Sequence, residues 1–247
     1  MISPSGAQRA DVFLVAQGYA ASRAEAQAAI KSGRVTADGA VVAKPAQLLH
    51  AGMTIGFEKE HPYVSRGALK LIAALDRFGF SPGGRCCLDI GASTGGFTEV
   101  LLARGAKHVT AVDVGHGQLH EKISSDARVT SYEGVNAREL TVEIAGEPEA
   151  IVIDVSFISL MLALPRALAL AAPGAWLVAL VKPQFEVGRE HIGKGGIVRD
   201  AGVAHAAAER VALWLSSVEG WTVHGLIESP LPGGDGNREY LLGAVKA

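Results

Sequence analysis

Asp154 closes the apolar run Ala150-Ile-Val-Ile, and Lys182 closes the apolar run 177–181. A charge at the end of a strand buried on both faces is costly unless it is paired or put to use. In an α/β sheet, the carboxyl ends of strands are also where ligands and reacting groups gather. Taken alone, Lys182 reads equally as a lysine that snorkels to the surface. A second lysine, Lys70, falls in a helix-patterned segment. A further carboxylate, Glu239, opens the last apolar run behind the loop Gly233-Gly-Asp-Gly-Asn237.

The segment Leu88-Asp-Ile-Gly-Ala-Ser-Thr-Gly-Gly-Phe-Thr98 takes a buried strand through glycines into a helix expected to start near Phe97. Such a turn brings backbone close to a ligand at the sheet edge. It is not the dinucleotide fingerprint, because Gly91 is followed by Ala92, Ser93 and Thr94 before Gly95-Gly96. An acid opening the loop, Asp89, repels a pyrophosphate and suits a cationic or zwitterionic ligand such as S-adenosylmethionine. Asp113, after the run 109–112, takes the position expected to hold ribose hydroxyls. Asn136, after 129–135, reads either as a residue near an adenine or as a loop cap. A second glycine-rich stretch, Gly188 to Lys194, mimics a phosphate loop. Gly195 stands where Ser or Thr must ligate magnesium, so it does not qualify.

The elements that must position these residues follow from periodicity. Residues 65–80 carry Leu69, Ile72, Leu75 and Phe78 at helical spacing, with Pro82-Gly83-Gly84 expected to end the helix. Strand-like runs at 87–90, 109–112, 151–155, 176–181 and 221–227 alternate with helix-length segments, and a last run follows at 240–245. That order predicts an α/β fold with a mostly parallel sheet covered by helices on both faces. Residues 1–58 read as a separate small α+β unit, 59–63 as a linker and 64–247 as the larger domain. In the small unit, 10–17 suits a short helix. Ser22-Arg-Ala-Glu25 reads as a capping box for a second helix, and Asp38-Gly39 as the tight turn of a hairpin.

Within the small unit, 22–49 resembles the αL RNA-binding module shared by a small-subunit ribosomal protein and many pseudouridine synthases. The resemblance implies that Arg23 and Lys31, with Arg34 at the turn, face structured RNA, with Arg9 nearby. Such phosphate contacts supply salt-dependent affinity and little sequence discrimination. On charge alone the unit is an ordinary solvated surface. Up to Phe57 it holds five basic residues (Arg9, Arg23, Lys31, Arg34, Lys44) against three acids (Asp11, Glu25, Asp38).

The order Lys70, Asp154, Lys182, Glu239 resembles the tetrad of FtsJ-type ribose 2′-O-methyltransferases. YVSRGALKL, LDIGASTGGFT, IDVSFISL, VKPQFEVGREHIGKGGIVRD and SPLPGGDGNREYL resemble the TlyA family of ribosomal RNA methyltransferases over nearly the whole chain. That resemblance implies a Rossmann-like fold, S-adenosylmethionine held by Asp89, Gly91, Ser93, Thr94, Gly95, Gly96, Phe97, Asp113 and Asn136, and ribosomal RNA, with cytidine as target. It also implies Lys182 as base and Lys70 steering the hydroxyl. The chemistry is consistent: like charge and burial lower a lysine's pKa and free its amine to take a proton, while Asp154 and Glu239 orient the lysines. Phe157 reads as an aromatic that stacks on a flipped base, or as a core aromatic. Arg66 reads as a phosphate contact, or as a solvated arginine. Family members often carry an arginine and a tryptophan where this chain has His61-Pro-Tyr-Val64, so coupling through that stretch is not carried over.

Composition removes other classes. Apolar residues make up 49% and charged ones 19%, against a disordered chain. The apolar stretch 158–172 is broken by Pro165 and Arg166, short of the roughly 18 residues a membrane span needs. The start carries no secretion signal, and the adjacent pair Cys86-Cys87 suits reduced thiols, so a cytoplasmic protein is expected. His116 and His120 lack a third ligand, and no metal is expected. The haemolysin label of the family implies a membrane-acting protein, but no basic amphipathic helix supports it. Base N-methyltransferases of the same fold usually place Asn or Asp-Pro-Pro-aromatic where this chain has Asp154-Val-Ser-Phe157. A third rival, an RNA-binding module on a dead methyltransferase fold, conflicts with a complete tetrad. The formal charge of −2 predicts that RNA is gripped by a local face rather than by overall attraction.

Overall fold

In the computed structural model, which describes residues 6–20, 22–58 and 61–247, the chain divides into two units, Met1–Pro62 and Tyr63–Ala247. Two residues of the expected linker, Lys59 and Glu60, lie outside the described residues.

The first unit runs β1 (Gln8–Arg9), α1 (Ala10–Ala16), α2 (Arg23–Lys31), β2 (Val35–Ala37), β3 (Ala40–Val41), β4 (Leu48–Leu49) and β5 (Ile55–Phe57). Ser22 Oγ accepts from the Glu25 N–H at 3.2 Å and starts α2. Asp38 and Gly39 both take positive φ and join β2 to β3. Phe13, Leu14, Ile30, Val35, Val42 and Leu49 form its buried core. Strands β1, β4 and β5 were not foreseen, because two or three residues carry no readable period. Asp11 is fully buried and accepts from Arg9 Nε at 3.0 Å, Arg23 at 2.9 Å and Gln27 at 2.8 Å. The Arg9 guanidinium, helped by Arg23 and Gln27, holds the Asp11 carboxyl well below the usual carboxylate range. Arg23, Gln27 and Lys31 recur every four residues on one face of α2. Arg9 and Arg23 stay about half exposed, Lys31 is exposed, and Arg34 donates to Ser32 Oγ at 2.8 Å. Asp11 thus fixes two arginines in place while each stays about half exposed.

The second unit runs α3 (Gly67–Phe78), β6 (Cys86–Ile90), α4 (Gly96–Ala103), β7 (His108–Asp113), α5 (Glu121–Ser124), β8 (Val129–Glu133), α6 (Val142–Ala145), β9 (Ala150–Ile153), α7 (Leu160–Ala163), α8 (Pro165–Leu170), β10 (Trp176–Val181), α9 (Ala201–Ser216), β11 (Trp221–Glu228) and β12 (Tyr240–Lys246). The helix read as 65–80 stops earlier than expected. Gly79, in the left-handed conformation, caps α3 before Pro82 is reached.

The seven strands lie in the order β11-β12-β10-β9-β6-β7-β8, parallel except that β12 runs antiparallel between β10 and β11. Strands β9 and β10 are buried along their whole length, as expected of a sheet covered on both faces. Alternate residues feed two cores. Leu88, Ile90, Ile151, Ile153, Leu177 and Val181 pack with Leu164, Leu168, Val211 and Leu215. Cys87, Val109, Val152, Val178 and Leu180 pack with Leu71, Leu75, Phe97 and Leu101 of α3 and α4. Each such fully buried aliphatic side chain contributes about 1.5–3 kcal/mol. Chain direction across the sheet reverses between β6 and β9, which is where ligands bind in open α/β sheets. Among the described residues, no helix is long and apolar enough to cross a membrane.

Candidate active site

Strand register assembles the site. Ile90 pairs with Ile153 and with Val112, so Gly91, Asp154 and Asp113 emerge side by side at the carboxyl edge. Val181 pairs with Tyr240 of antiparallel β12, which sets Lys182 beside Glu239.

Asp154 Oδ1 forms an ion pair with Lys182 Nζ at 2.6 Å, and Lys182 Nζ donates its hydrogen bond to Ser156 Oγ at 3.0 Å. Lys70, on α3, forms a second ion pair with Glu239, whose side chain is 3% exposed. The four residues thus form two pairs, each lysine with its own carboxylate.

Two cavities meet here. The larger, about 880 Å³, is lined by Ile90, Gly91, Ser93, Asp113, Asn136 and Asp154, with Val112, Val135, Val155 and Ile158 giving it an apolar wall. Its size falls within the ordinary range of small-molecule pockets. The smaller, about 390 Å³, is lined by Lys182, Gln184, Asp235 and Glu239 and edged by Gly195, Gly196 and Gly234. Ser156, Phe157 and Phe185 border both. The Asp154–Lys182 pair therefore spans the two, with Asp154 on the larger cavity and Lys182 on the smaller.

The glycine loop is shaped by close approach. A Cβ on Gly91, whose φ is +80°, would stand 2.3 Å from the Asp154 carbonyl oxygen. Gly91→Ala is expected to lower stability by about 1–3 kcal/mol, through the clash and the left-handed conformation together, and to abolish ligand binding in the larger cavity. Urea unfolding and calorimetry check both. Gly95 caps α4 with φ +94°, and a Cβ on Gly96 would meet Ser65 Cβ at 2.7 Å. Phe97 is in the core, and the Thr94 carbonyl accepts from the His120 N–H at 3.2 Å. Thr94, Gly95, Gly96 and Phe97 therefore shape the loop without lining the cavity. Asp89 is also buried beneath it. Its Oδ2 accepts from Thr98 Oγ1 at 2.6 Å, its Oδ1 has no hydrogen-bond partner among the described residues, and burial pushes its pKa up to about 7.

Asp113 accepts from the Ser93 N–H at 2.8 Å and the Gly115 N–H at 2.7 Å, tying the lips of two loops. Asn136 both lines the cavity and caps a turn, accepting from the Arg138 N–H at 3.0 Å, so its two readings are compatible. Phe157 is 91% exposed with φ +65°. That excludes the core reading, and a bulky residue in this region is held there by its surroundings. Its ring lies 5.1 Å from that of Phe185. Arg66 is exposed at the start of α3.

Sequence reasoning missed Ser156, Gln184, Phe185 and Glu186. All lie within four residues of Asp154 or Lys182, and adjacency was the available signal. Glu186 accepts from Ser159 Oγ at 2.6 Å and the Leu160 N–H at 2.8 Å, locking together the loops that follow β9 and β10. Burial raises its pKa. Among the described residues, no group of His, Cys, Asp or Glu is arranged to hold a metal ion.

Residues 63–246 match the FtsJ-like methyltransferase family, and residues 8–55 match the S4 domain. The larger domain is therefore a methyltransferase domain. TlyA of Mycobacterium tuberculosis, a 16S/23S rRNA (cytidine-2′-O)-methyltransferase, is 47% identical across 95% of this chain and 88% of its own. Hemolysin A of Brachyspira hyodysenteriae is 40% identical across 94% of this chain and 98% of its own. The solved structure of a hemolysin-named protein from Streptococcus thermophilus superposes with a TM-score of 0.79 at 42% identity, covering 99% of this chain and 90% of that one. The chain belongs to the TlyA family of FtsJ-like methyltransferases.

Proposed function

We propose that this enzyme transfers a methyl group from S-adenosylmethionine to the ribose 2′-hydroxyl of a cytidine in ribosomal RNA, within ribosomal subunits in the cytoplasm. The observation that carries the reading is the Asp154–Lys182 ion pair, which spans a cofactor-sized cavity and a smaller cleft.

The residues of the larger cavity fit this cofactor. Gly91 and Ser93 offer backbone at the switch point, Asp113 a carboxylate for ribose hydroxyls, and Asn136 a polar group near an apolar wall suited to adenine. Asp89 lies buried beneath, where a cationic ligand above it would favour the ionised form of its carboxyl. When bound, S-adenosylmethionine supplies an electrophilic methyl group. The chain's own residues prepare the acceptor. Lys182, as the free amine, takes the 2′-hydroxyl proton at Nζ, and Asp154 then holds the resulting ammonium. Ser156 fixes the direction of that amine. Lys70 and Glu239 close the cleft behind, with Lys70 steering the hydroxyl. Both substrates held in place contribute the rest of the acceleration.

The S4 domain presents Arg9, Arg23, Lys31 and Arg34 to phosphates, Arg66 adds a contact on the catalytic domain, and residues 59–63 serve as the linker. Phe157 stacks on the target base. Phe157→Ala is expected to lower kcat/KM for RNA about 5- to 150-fold, from a stacking contribution of about 1–3 kcal/mol. Stability should hold, since the ring is exposed. Steady-state kinetics with RNA as the varied substrate, alongside thermal melting, read the two effects separately.

The reading is tested by labelled methyl transfer to separated ribosomal subunits. Incorporation into ribose supports it, and none into either subunit contradicts it.

A further inference from the structure

Phe157 keeps an unusual backbone conformation in an exposed place, with φ +65° and 91% exposure. A bulky residue stays in that region only where its surroundings over-determine it. Among the described residues, no backbone hydrogen bond reaches residues 156–158, so side chains fix this turn. They come from the segment after β10, and in the same chain order. Lys182 donates to Ser156 Oγ at 3.0 Å, and the Phe185 ring lies 5.1 Å from that of Phe157. The Glu186 carboxylate then accepts from Ser159 Oγ at 2.6 Å and from the Leu160 N–H at 2.8 Å. The segment that supplies these contacts is itself held. The Pro183 carbonyl accepts from the Glu186 N–H at 2.9 Å and the Val187 N–H at 3.0 Å, and Arg210 of α9 donates to the Glu186 carbonyl.

We propose that Glu186 is a positioning residue for the RNA substrate, which holds the Phe157 ring in the orientation that receives the target base. This rests on the ribose methyltransferase reading above, in which Phe157 stacks on that base. Of the three contacts, the one from Lys182 belongs to the proton-transfer machinery, and the one from Phe185 is a single ring against another. Glu186 makes two hydrogen bonds, one to a side chain and one to the backbone, and secures the far end of the turn. It lines neither cavity, so its effect on RNA passes through the residues it holds. An exposed ring gains nothing from core packing. Without the clasp, the turn would have to be ordered as the base arrives, and ordering on binding is subtracted from affinity.

The test is a double-mutant cycle on the full-length enzyme, with labelled methyl transfer from S-adenosylmethionine and ribosomal subunits as the varied substrate. Glu186→Ala is expected to lower kcat/KM for the subunits about fivefold or more, without exceeding the loss in Phe157→Ala. The double variant, Glu186→Ala with Phe157→Ala, is expected to fall within about twofold of Phe157→Ala alone, because two changes that act through one ring do not add. Glu186→Gln is expected to stay close to wild type, since its amide still accepts from the Leu160 N–H and donates to Ser159 Oγ. Thermal melting reports folding. Should Glu186→Ala unfold, Ser159→Ala, which removes one of the two bonds, takes its place in the same cycle. Losses that multiply in the double variant, or a Glu186→Gln as slow as Glu186→Ala, overturn the role of Glu186 and leave the stacking of Phe157 standing. Phe157→Ala as fast as wild type overturns the stacking reading, and the role of Glu186 falls with it. A wild type that methylates no ribose in either subunit overturns the enzyme reading and both roles together.

Discussion

Lys182→Ala is expected to slow methyl transfer by about 10²- to 10⁴-fold, the usual contribution of a general base, while leaving cofactor binding in place. Lys182 is the only one of the four charged residues that both lines the smaller cleft and contacts its partner at the edge of the larger cavity. Its removal empties the position from which the 2′-hydroxyl proton is taken and leaves the cofactor cavity's own lining intact. Single-turnover kinetics with saturating cofactor isolates the chemical step. Lys182→Arg preserves the charge and the pairing with Asp154, but a guanidinium stays protonated and does not act as a base. It should be as slow as the alanine variant. If Lys182 only balanced the charge of Asp154, the arginine variant would recover activity, so the pair of substitutions separates the two roles.

The second large effect is on stability. Lys70→Met breaks a pair in which Glu239 is 3% exposed and the lysine side chain 10%. An uncompensated buried carboxylate costs about 3–5 kcal/mol, a large share of the stability of an ordinary domain. The double variant Lys70→Met with Glu239→Gln should recover most of the loss, because both charges leave together. Urea unfolding of the four proteins in the cycle gives the coupling directly. Methyl transfer by the double variant should stay low, since the steering lysine is gone.

The sequence made some of this legible and hid the rest for physical reasons. Asp154 and Lys182 could be placed at strand ends because β9 and β10 are unbroken apolar runs, and a charge closing such a run stands out. The glycine loop could be located, but not which of its residues line a cavity. Gly91 and Ser93 do, while Gly95, Gly96 and Phe97 pack against Leu119, Ser65 and the core. Those neighbours are distant in sequence, so no local pattern reports them. Phe157 was undecided between stacking and core because hydrophobicity does not encode its φ of +65°. The sequence did not show which carboxylate each lysine pairs with. That pairing depends on the antiparallel register of β12, which brings Glu239 to the sheet edge and is invisible in a linear motif. Asp11 went unnoticed as an anchor, although its charge is what fixes Arg9 and Arg23.

The same arrangement separates ribose from base methylation. An amine target needs no lysine base, whereas a hydroxyl is a weak nucleophile near neutral pH and does. The decisive measurement is transfer of labelled methyl to separated ribosomal subunits, followed by nuclease digestion and mass analysis of the modified nucleoside. The account predicts a 2′-O-methylated cytidine from wild type and its near-absence with Lys182→Ala. A methyl group on the base, or undiminished ribose methylation by Lys182→Ala, would contradict it.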